Sequence, residues 1–316
     1  MSTPLHNLGK DAIEAKGWAG AHKWLILRRS SQLGTLALFM LGPWFGIYIL
    51  KGNLASSLFL DTIPLTDPLL FLQMLAAGFF GLSSAAIIGA AIVAVFYVIV
   101  GGRVYCSWVC PVNIATDAAL WTRRKLDIRG TAKPKLSTRY WMLALTLVLS
   151  AATGTLAYEL VNPVSAAYRG AVFGLGMGWA VLLLIYLFDV FVAKRGWCGH
   201  LCPMGAFYGL LGSVSLIRVR ADGRAKCDDC MECYEVCPEL QVLPPALKSE
   251  ATGGSPVILD GACTNCGRCI DICPVDVFAF GLRNRPLITP QPLAPGNPRY
   301  VEPRTKPDDP DLKKIA

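Results

Sequence analysis

The sequence predicts an all-α membrane region of four spanning helices followed by a small α+β cysteine-rich domain. Three observations carry this reading. Of 316 residues, 53% are hydrophobic and only 16% charged, well under the quarter expected of a soluble globular chain, which argues against a purely soluble enzyme. Four stretches run free of charge for about the 20 residues that a bilayer crossing requires. From about Arg218 to Arg283 the chain turns polar, charged and rich in cysteine.

The spans are expected at Leu33 to Leu50, near Leu82 to Val100, between Arg139 and Glu159, and between Arg169 and Asp189. The uncharged run from Pro68 to Gly102 exceeds one crossing, so Leu69 to Gly81 is read as a lead-in segment. No small-residue cleavage site follows the first apolar run, so it is expected to stay in the mature chain. Basic residues cluster before the first span (Lys10, Lys16, Lys23, Arg28, Arg29) and between the second and third (Arg103, Arg123, Arg124, Lys125 and others), whereas the remaining loops carry Lys51 and Arg169 alone. The positive-inside rule then gives a multi-pass protein of a bacterial cytoplasmic (inner) membrane with both termini cytoplasmic. On the same grounds the net charge of +8 reports orientation, and no nucleic-acid partner is expected. Four segments follow: 1–32 as a cytoplasmic N-terminal segment, 33–215 as the membrane domain, 216–284 as the cysteine-rich domain, and 285–316 as a tail. That tail has eight prolines in thirty-two residues and is expected to be disordered or loosely docked.

Twelve cysteines in a long apolar chain without a secretory pattern point to metal ligation more than to disulfides. Eight of them form two copies of C-x2-C-x2-C-x3-C-P: Cys227, Cys230, Cys233 and Cys237 before Pro238, then Cys263, Cys266, Cys269 and Cys273 before Pro274. This resembles the bacterial two-cluster ferredoxin pattern, in which three closely spaced thiolates hold three corners of a cubane and the fourth reaches the other cluster. The crossed pattern places Cys227, Cys230, Cys233 and Cys273 around one [4Fe-4S] cluster and Cys263, Cys266, Cys269 and Cys237 around a second. Gly267 is expected to ease one tight loop. Zinc is the competing reading, but four-thiolate zinc sites usually pair two C-x2-C knuckles.

The other four thiols form two C-x3-C-P pairs, Cys106/Cys110 before Pro111 and Cys198/Cys202 before Pro203, 92 residues apart. They look like the products of an internal duplication. Two readings stay open: the pairs approach each other and serve a third Fe-S centre, a transient metal or a redox couple, or prolines and small thiols merely shape a helical junction. The chain has only His6, His22 and His200, so bis-histidine haem between the spans is not available. His200, Asp189 and Glu159 are weak catalytic candidates for proton transfer. Asp189 could instead pair with Lys194 or Arg195, and Asn162-Pro163 is expected to shape a turn.

Beyond these motifs, HKWLILRRS at 22–30, GPWFGIYILKGN at 42–53, DTIPLTDPL at 61–69, YCSWVCP at 105–111 and GWCGHLCPMGAFYG at 196–209 resemble the NapH family of ferredoxin-type proteins and, more distantly, MauN-type proteins. The likeness covers roughly residues 8 to 283. It implies an iron-sulfur quinol dehydrogenase subunit, an electron-transfer component that takes electrons from membrane quinol. These pass to a NapG-type ferredoxin-like partner of a periplasmic nitrate reductase, and thus to nitrate respiration. It also implies that Cys106, Cys110, Cys198 and Cys202 are functionally needed. The alternative is a membrane-bound maturation or metal-reducing accessory protein; a redox sensor acting through the tail ranks last.

Overall fold

A computed structural model describes residues 8–81, 83–128, 132, 134–174, 176–248 and 254–284; the tail from 285, with its expected disorder, lies outside them. The chain begins with α1 (Lys10–Ala21) and α2 (Lys23–Phe45). Helix α2 starts ten residues before the expected first span because a distant carboxylate caps it: Asp271 accepts hydrogen bonds from the amides of Trp24 at 3.0 Å and Leu25 at 2.9 Å. It stops at Gly46, whose φ of 72° is left-handed. The expected loop 51–68 is instead an antiparallel meander of β1 (Leu50–Gly52), β2 (Ser56–Phe59) and β3 (Ile63–Thr66), with Leu50 opposite Phe59 and Ser56 opposite Thr66. The first half of the chain is therefore not all-α.

The membrane-spanning fold class and the inner-membrane localisation are overturned: among the described residues no helix is long and apolar enough to cross a membrane. The uncharged run 68–102 breaks between α3 (Pro68–Ala76) and α4 (Ser84–Val100). Gly78, with a left-handed φ of 85°, ends α3, and the side chain of Ser83 starts α4 afresh by accepting from the amide of Ala86. The third and fourth apolar runs give α6 (Thr138–Thr153) and α9 (Met177–Phe191), while α5 (Val112–Lys125) lies between α4 and α6. Helices α4, α6 and α9 have 17, 16 and 15 residues, which at 1.5 Å per residue is about 23 to 26 Å, short of a bilayer core of about 30 Å. Helix α2 reaches 23 residues but carries Lys23, Arg28, Arg29 and Gln32 in its first half. The inside and outside assignments of loops and termini fall with the spans they rested on.

The suspected duplication has a structural counterpart. Asp67-Pro68 starts α3, and Asn162-Pro163 starts α8 (Pro163–Phe173) after the short α7 (Ala157–Val161); in both, the polar side chain accepts from the amide two residues on and proline takes the first turn. Helices α4 and α9 then each run into a five-residue π-helical turn, Tyr105–Val109 and Trp197–Leu201. Each turn ends at an extended cysteine followed by proline, Cys110-Pro111 before α5 and Cys202-Pro203 at the start of α10 (Pro203–Gly212). The paired helices surround one apolar core that includes Leu69, Leu143 and Ile185. In it Tyr208 lies with ring centroids 5.0 Å from both Tyr97 and Tyr105.

The cysteine-rich segment has its own core, with Val219, Leu243, Ile258 and Phe278 at its centre. Strand β4 (Ile217–Arg220) pairs antiparallel with β5 (Ala279–Leu282), closing the two ends of the segment on each other. Between them lie α11 (Glu232–Val236), α12 (Pro244–Leu247) and α13 (Arg268–Ile272). Gly261 packs directly on the backbone of Gly209 in α10, where a side chain on residue 261 would collide with the Gly209 carbonyl.

A buried ion cluster holds this segment to the helices. Glu239 accepts from Arg103 and, at 3.1 Å, from Arg139, and all three side chains are at most 5% exposed. Arg103 also donates to the carbonyls of Ala262 at 2.9 Å and Cys198 at 3.0 Å. Burial alone would raise the Glu239 carboxyl, but Arg103 and Arg139 hold it below its ordinary value of 4.5. Its contribution to stability is thus fully present above pH 4.5 and is lost as the pH falls through the depressed folded value. Replacing Glu239 by Gln strands two buried guanidiniums and should lower unfolding stability by about 3 to 5 kcal/mol in urea titrations at pH 7. A loss under about 1 kcal/mol would show that the cluster does not join the two halves.

Candidate iron-sulfur sites

The two four-cysteine motifs, 36 residues apart, fold alike. In the first, Asp229 and Met231 take left-handed φ of 57° and 63°; in the second, Asn265 and Gly267 take 46° and 73°. These left-handed residues let each C-x2-C-x2-C loop curl back on itself before entering α11 or α13. The third cysteine of each motif, Cys233 or Cys269, sits on that short helix, and the fourth follows its end. A side chain on Gly267 would meet Trp24 at 2.6 Å.

Two cavities result. One, of about 380 Å³, is lined by Cys227, Cys230, Cys233 and Cys273. The other, of about 340 Å³, is lined by Cys237, Cys263, Cys266 and Cys269. Each cavity thus draws three thiols from one motif and the fourth from the other. The thiols stand around a space and do not converge on a point: among the described residues no group of three or more His, Cys, Asp or Glu is placed to hold a metal ion. The surroundings differ. Asp228, Asp229 and Lys248 border the first cavity, with Lys248 paired to Asp229, whereas Arg268 and Glu239 border the second. Burial pushes the thiols of Cys227 and Cys230 up to about 11 and about 12. Cys266 departs from this: burial would raise it too, but Arg268 and Arg28 bring it below its ordinary value. The Cys273 sulfur accepts from the amide of Val277 at 3.4 Å.

The C-x3-C-P pairs share the apolar core of the helical half. Burial raises Cys106 to about 11 and Arg103 opposes this; one thiol of each pair, Cys106 and Cys198, lines a common cavity. Gln32, fully buried, fixes the first π turn by donating to the carbonyls of Ser107 at 3.0 Å and Cys110 at 3.3 Å. That turn is bonded directly to the second cysteine loop: Ser107 donates to the Thr264 carbonyl at 2.7 Å and the Trp108 indole to the Asn265 carbonyl at 3.0 Å. A third cavity, of about 380 Å³, is lined by Cys106, Cys198, Cys266, Arg103, Arg195 and Glu239, among others. It shares Cys266, Glu239 and Arg268 with the second cavity.

The proton-transfer candidates are scattered. Asp189 is 1% exposed and accepts from the amide of Trp197 at 3.1 Å, capping the second π turn; burial raises its carboxyl to about 6. Of the partners considered for it, Lys194 meets Glu235 at 3.6 Å and Arg195 meets Asp117 at 3.2 Å, while the charge of Arg195 also acts to lower the Asp189 carboxyl. Glu159 accepts from Ser165 and from Asn162 at 3.0 Å, within the α7–α8 turn. His200 lies half-buried in the second π turn, and its Nδ1 has no hydrogen-bond partner among the described residues. Burial lowers its pKa, which leaves the ring neutral at pH 7. Sequence reasoning missed Asp67, a buried carboxyl raised to about 6 by burial and hydrogen-bonded by Tyr208 at 3.1 Å. It also missed Asp117, where arginines from three distant segments converge; Glu239, two residues beyond Cys237, was the one signal adjacent to a motif.

Residues 83–129 and 171–221, which contain the two C-x3-C-P pairs, match the 4Fe-4S binding domain family. Residues 226–277, with all eight other cysteines, match the 4Fe-4S dicluster domain family. The chain is 51% identical over 276 residues to the ferredoxin-type protein NapH of Haemophilus influenzae, covering 87% of this chain and 95% of that protein. It is 47% identical to NapH of Escherichia coli K12, over 90% of this chain and 98% of the relative. The methylamine utilization ferredoxin-type protein MauN of Paracoccus denitrificans is 52% identical, over 87% of this chain and 96% of its own length. No solved structure matches. The chain therefore belongs to the NapH/MauN-like family of ferredoxin-type electron-transfer proteins with 4Fe-4S domains.

Proposed function

We propose that this chain relays single electrons between two [4Fe-4S] clusters, one held by Cys227, Cys230, Cys233 and Cys273 and the other by Cys237, Cys263, Cys266 and Cys269. The supporting observation is the pair of cavities, each lined by three thiols of one motif and the fourth of the other. A single zinc ion needs four sulfurs at about 2.3 Å from one point, and among the described residues no three such ligands converge on one. When bound, clusters of this kind accept or give one electron with little rearrangement. The chain supplies the ligands, excludes water with Val219 and Ile258 beside the second cavity, and directs the Val277 amide to a ligand sulfur.

The electron donor in this reading is quinol, and the acceptor is a NapG-type partner serving a periplasmic nitrate reductase. Cys106, Cys110, Cys198 and Cys202 form the junction between donor and clusters, as a third centre or a redox couple. Support comes from the cavity that one thiol of each pair, Cys106 and Cys198, lines together with Cys266, and from the 4Fe-4S family match over both pairs. Quinol releases two electrons and two protons, so the junction needs proton acceptors. His200 is neutral, stands in the second thiol-bearing turn and retains a ring nitrogen without a partner among the described residues; it is the residue we assign to accept one of them. A second reading keeps the same clusters and gives them a maturation or metal-reducing role toward a partner enzyme.

Cys233→Ser and Cys269→Ser should each remove or convert one cluster, seen by EPR, and abolish quinol-driven electron flow; full turnover in both variants would sink the relay. Clusters that dithionite reduces but quinol does not would move the assignment to maturation. Gly267→Ala forces a side chain onto a left-handed residue and against Trp24, at a cost of about 1 kcal/mol or more. It should selectively weaken the EPR signal of the Cys266-containing cluster, and wild-type spectra would show that this close approach is not needed.

A further inference from the structure

Asp117, on α5, gathers arginines from three separate parts of the chain. Arg268 of α13 meets both of its carboxylate oxygens at 2.7 Å, Arg195 lies at 3.2 Å, Arg29 is in contact and Arg28 stands at 3.9 Å. Four guanidiniums thus face one carboxylate, a formal surplus of three positive charges. Arg28 is 1% and Arg195 5% exposed. Nε and Nη1 of Arg28, Nε and Nη2 of Arg195 and Nε of Arg268 have no hydrogen-bond partner among the described residues. Buried cations in this state call for an anion. The nearest chemistry able to supply one is the second cysteine site: Arg268 lines its cavity, and Arg195 and Arg268 line the third cavity together with Cys266. Counted by border residues alone, Asp228, Asp229 and Lys248 give the first cavity a formal charge of −1, whereas Arg268 and Glu239 leave the second neutral, with the arginines around Asp117 behind it. Three of the first site's four thiols are only half-buried, against two of four, Cys237 and Cys263, at the second site, so water screens the first site more.

We propose that Arg28, Arg29, Arg195 and Arg268, only partly neutralised by Asp117, are the counter-charge of the cluster at Cys237, Cys263, Cys266 and Cys269 and poise it at a higher reduction potential than the cluster at Cys227. This rests on the cluster assignment above. A four-iron cluster with four thiolates carries two negative charges oxidised and three reduced. Its reduction adds one electron, forms or breaks no bond and moves no proton, so fixed positive charge nearby favours the reduced form. Electrons entering the pair therefore settle beside Cys266, the side that faces Cys106 and Cys198. The four arginines and Asp117 are positioning residues that act on the potential without binding iron.

The test is an EPR-monitored titration of the anaerobically purified full chain with dithionite as reductant. The wild type should show two midpoints, the upper one absent from Cys269→Ser. Arg28→Gln should lower only the upper midpoint, cutting the reduced-to-oxidised ratio at a fixed potential about tenfold, which is about 59 mV for a one-electron couple. Asp117→Asn removes the negative charge and should raise the same midpoint by a similar factor. Arg29→Gln, at a side chain 26% exposed, is the mild variant and should give a smaller fall should the buried variants not fold. Structural damage would not produce shifts of opposite sign. Variants with full iron and sulfide whose upper midpoint stays fixed, or moves the same way in both, would overturn the inference. A wild type lacking four-iron clusters would instead overturn the assignment beneath it.

Discussion

The arrangement depends on Glu239 and the two arginines that enclose it. Arg103 comes from the turn between α4 and the first π turn and Arg139 from α6, so a carboxylate two residues beyond Cys237 anchors the cysteine segment to the helical half. Such a cluster is costly to bury, because desolvation opposes all three charges, and it persists only with its remaining donors satisfied. Arg103 does so through the carbonyls of Ala262 and Cys198, one beside the second cysteine loop and the other inside the second π turn. One guanidinium therefore fixes the relative place of a four-cysteine motif and a C-x3-C-P pair. Ser107 and Trp108 repeat the connection for the other pair.

Electrostatics then separates two sites that the sequence writes identically. Both loops have the same spacing and the same left-handed turns, yet one opens on aspartates and a lysine at the surface and the other on a buried arginine group. The same backbone frame is thus set in unequal surroundings. The helical half carries the same economy, with twin π turns ending in Cys-Pro and twin Asp-Pro and Asn-Pro helix starts.

What the sequence disclosed was local. Cysteine spacing is set by the reach of three thiols around one core, so the eight residues of the two cavities could be written down from the chain alone. Their crossing followed from the short helix that carries each fourth cysteine away. Helix extent was misread for a physical reason: an absence of charge marks apolar surroundings but not continuity. The left-handed Gly78 and the cap at Ser83 divide the run at 68–102 into two shorter helices, and Asp271 pulls the start of α2 back to residue 23. The β1–β3 meander was hidden because its strands are only three or four residues long and too short for an alternating pattern to declare itself. The Asp117 group was illegible because its members lie at 28, 29, 117, 195 and 268, each an ordinary surface charge until the fold collects them.

The most direct test of the central claim is the metal content and spin state of the fully reduced, anaerobically isolated chain. Eight thiols arranged around two adjacent cavities predict about eight irons and as many sulfides per chain, more if the C-x3-C-P pairs hold a third centre, with EPR of two magnetically interacting four-iron clusters. About four irons with a single isolated signal, or zinc in place of iron, would contradict it.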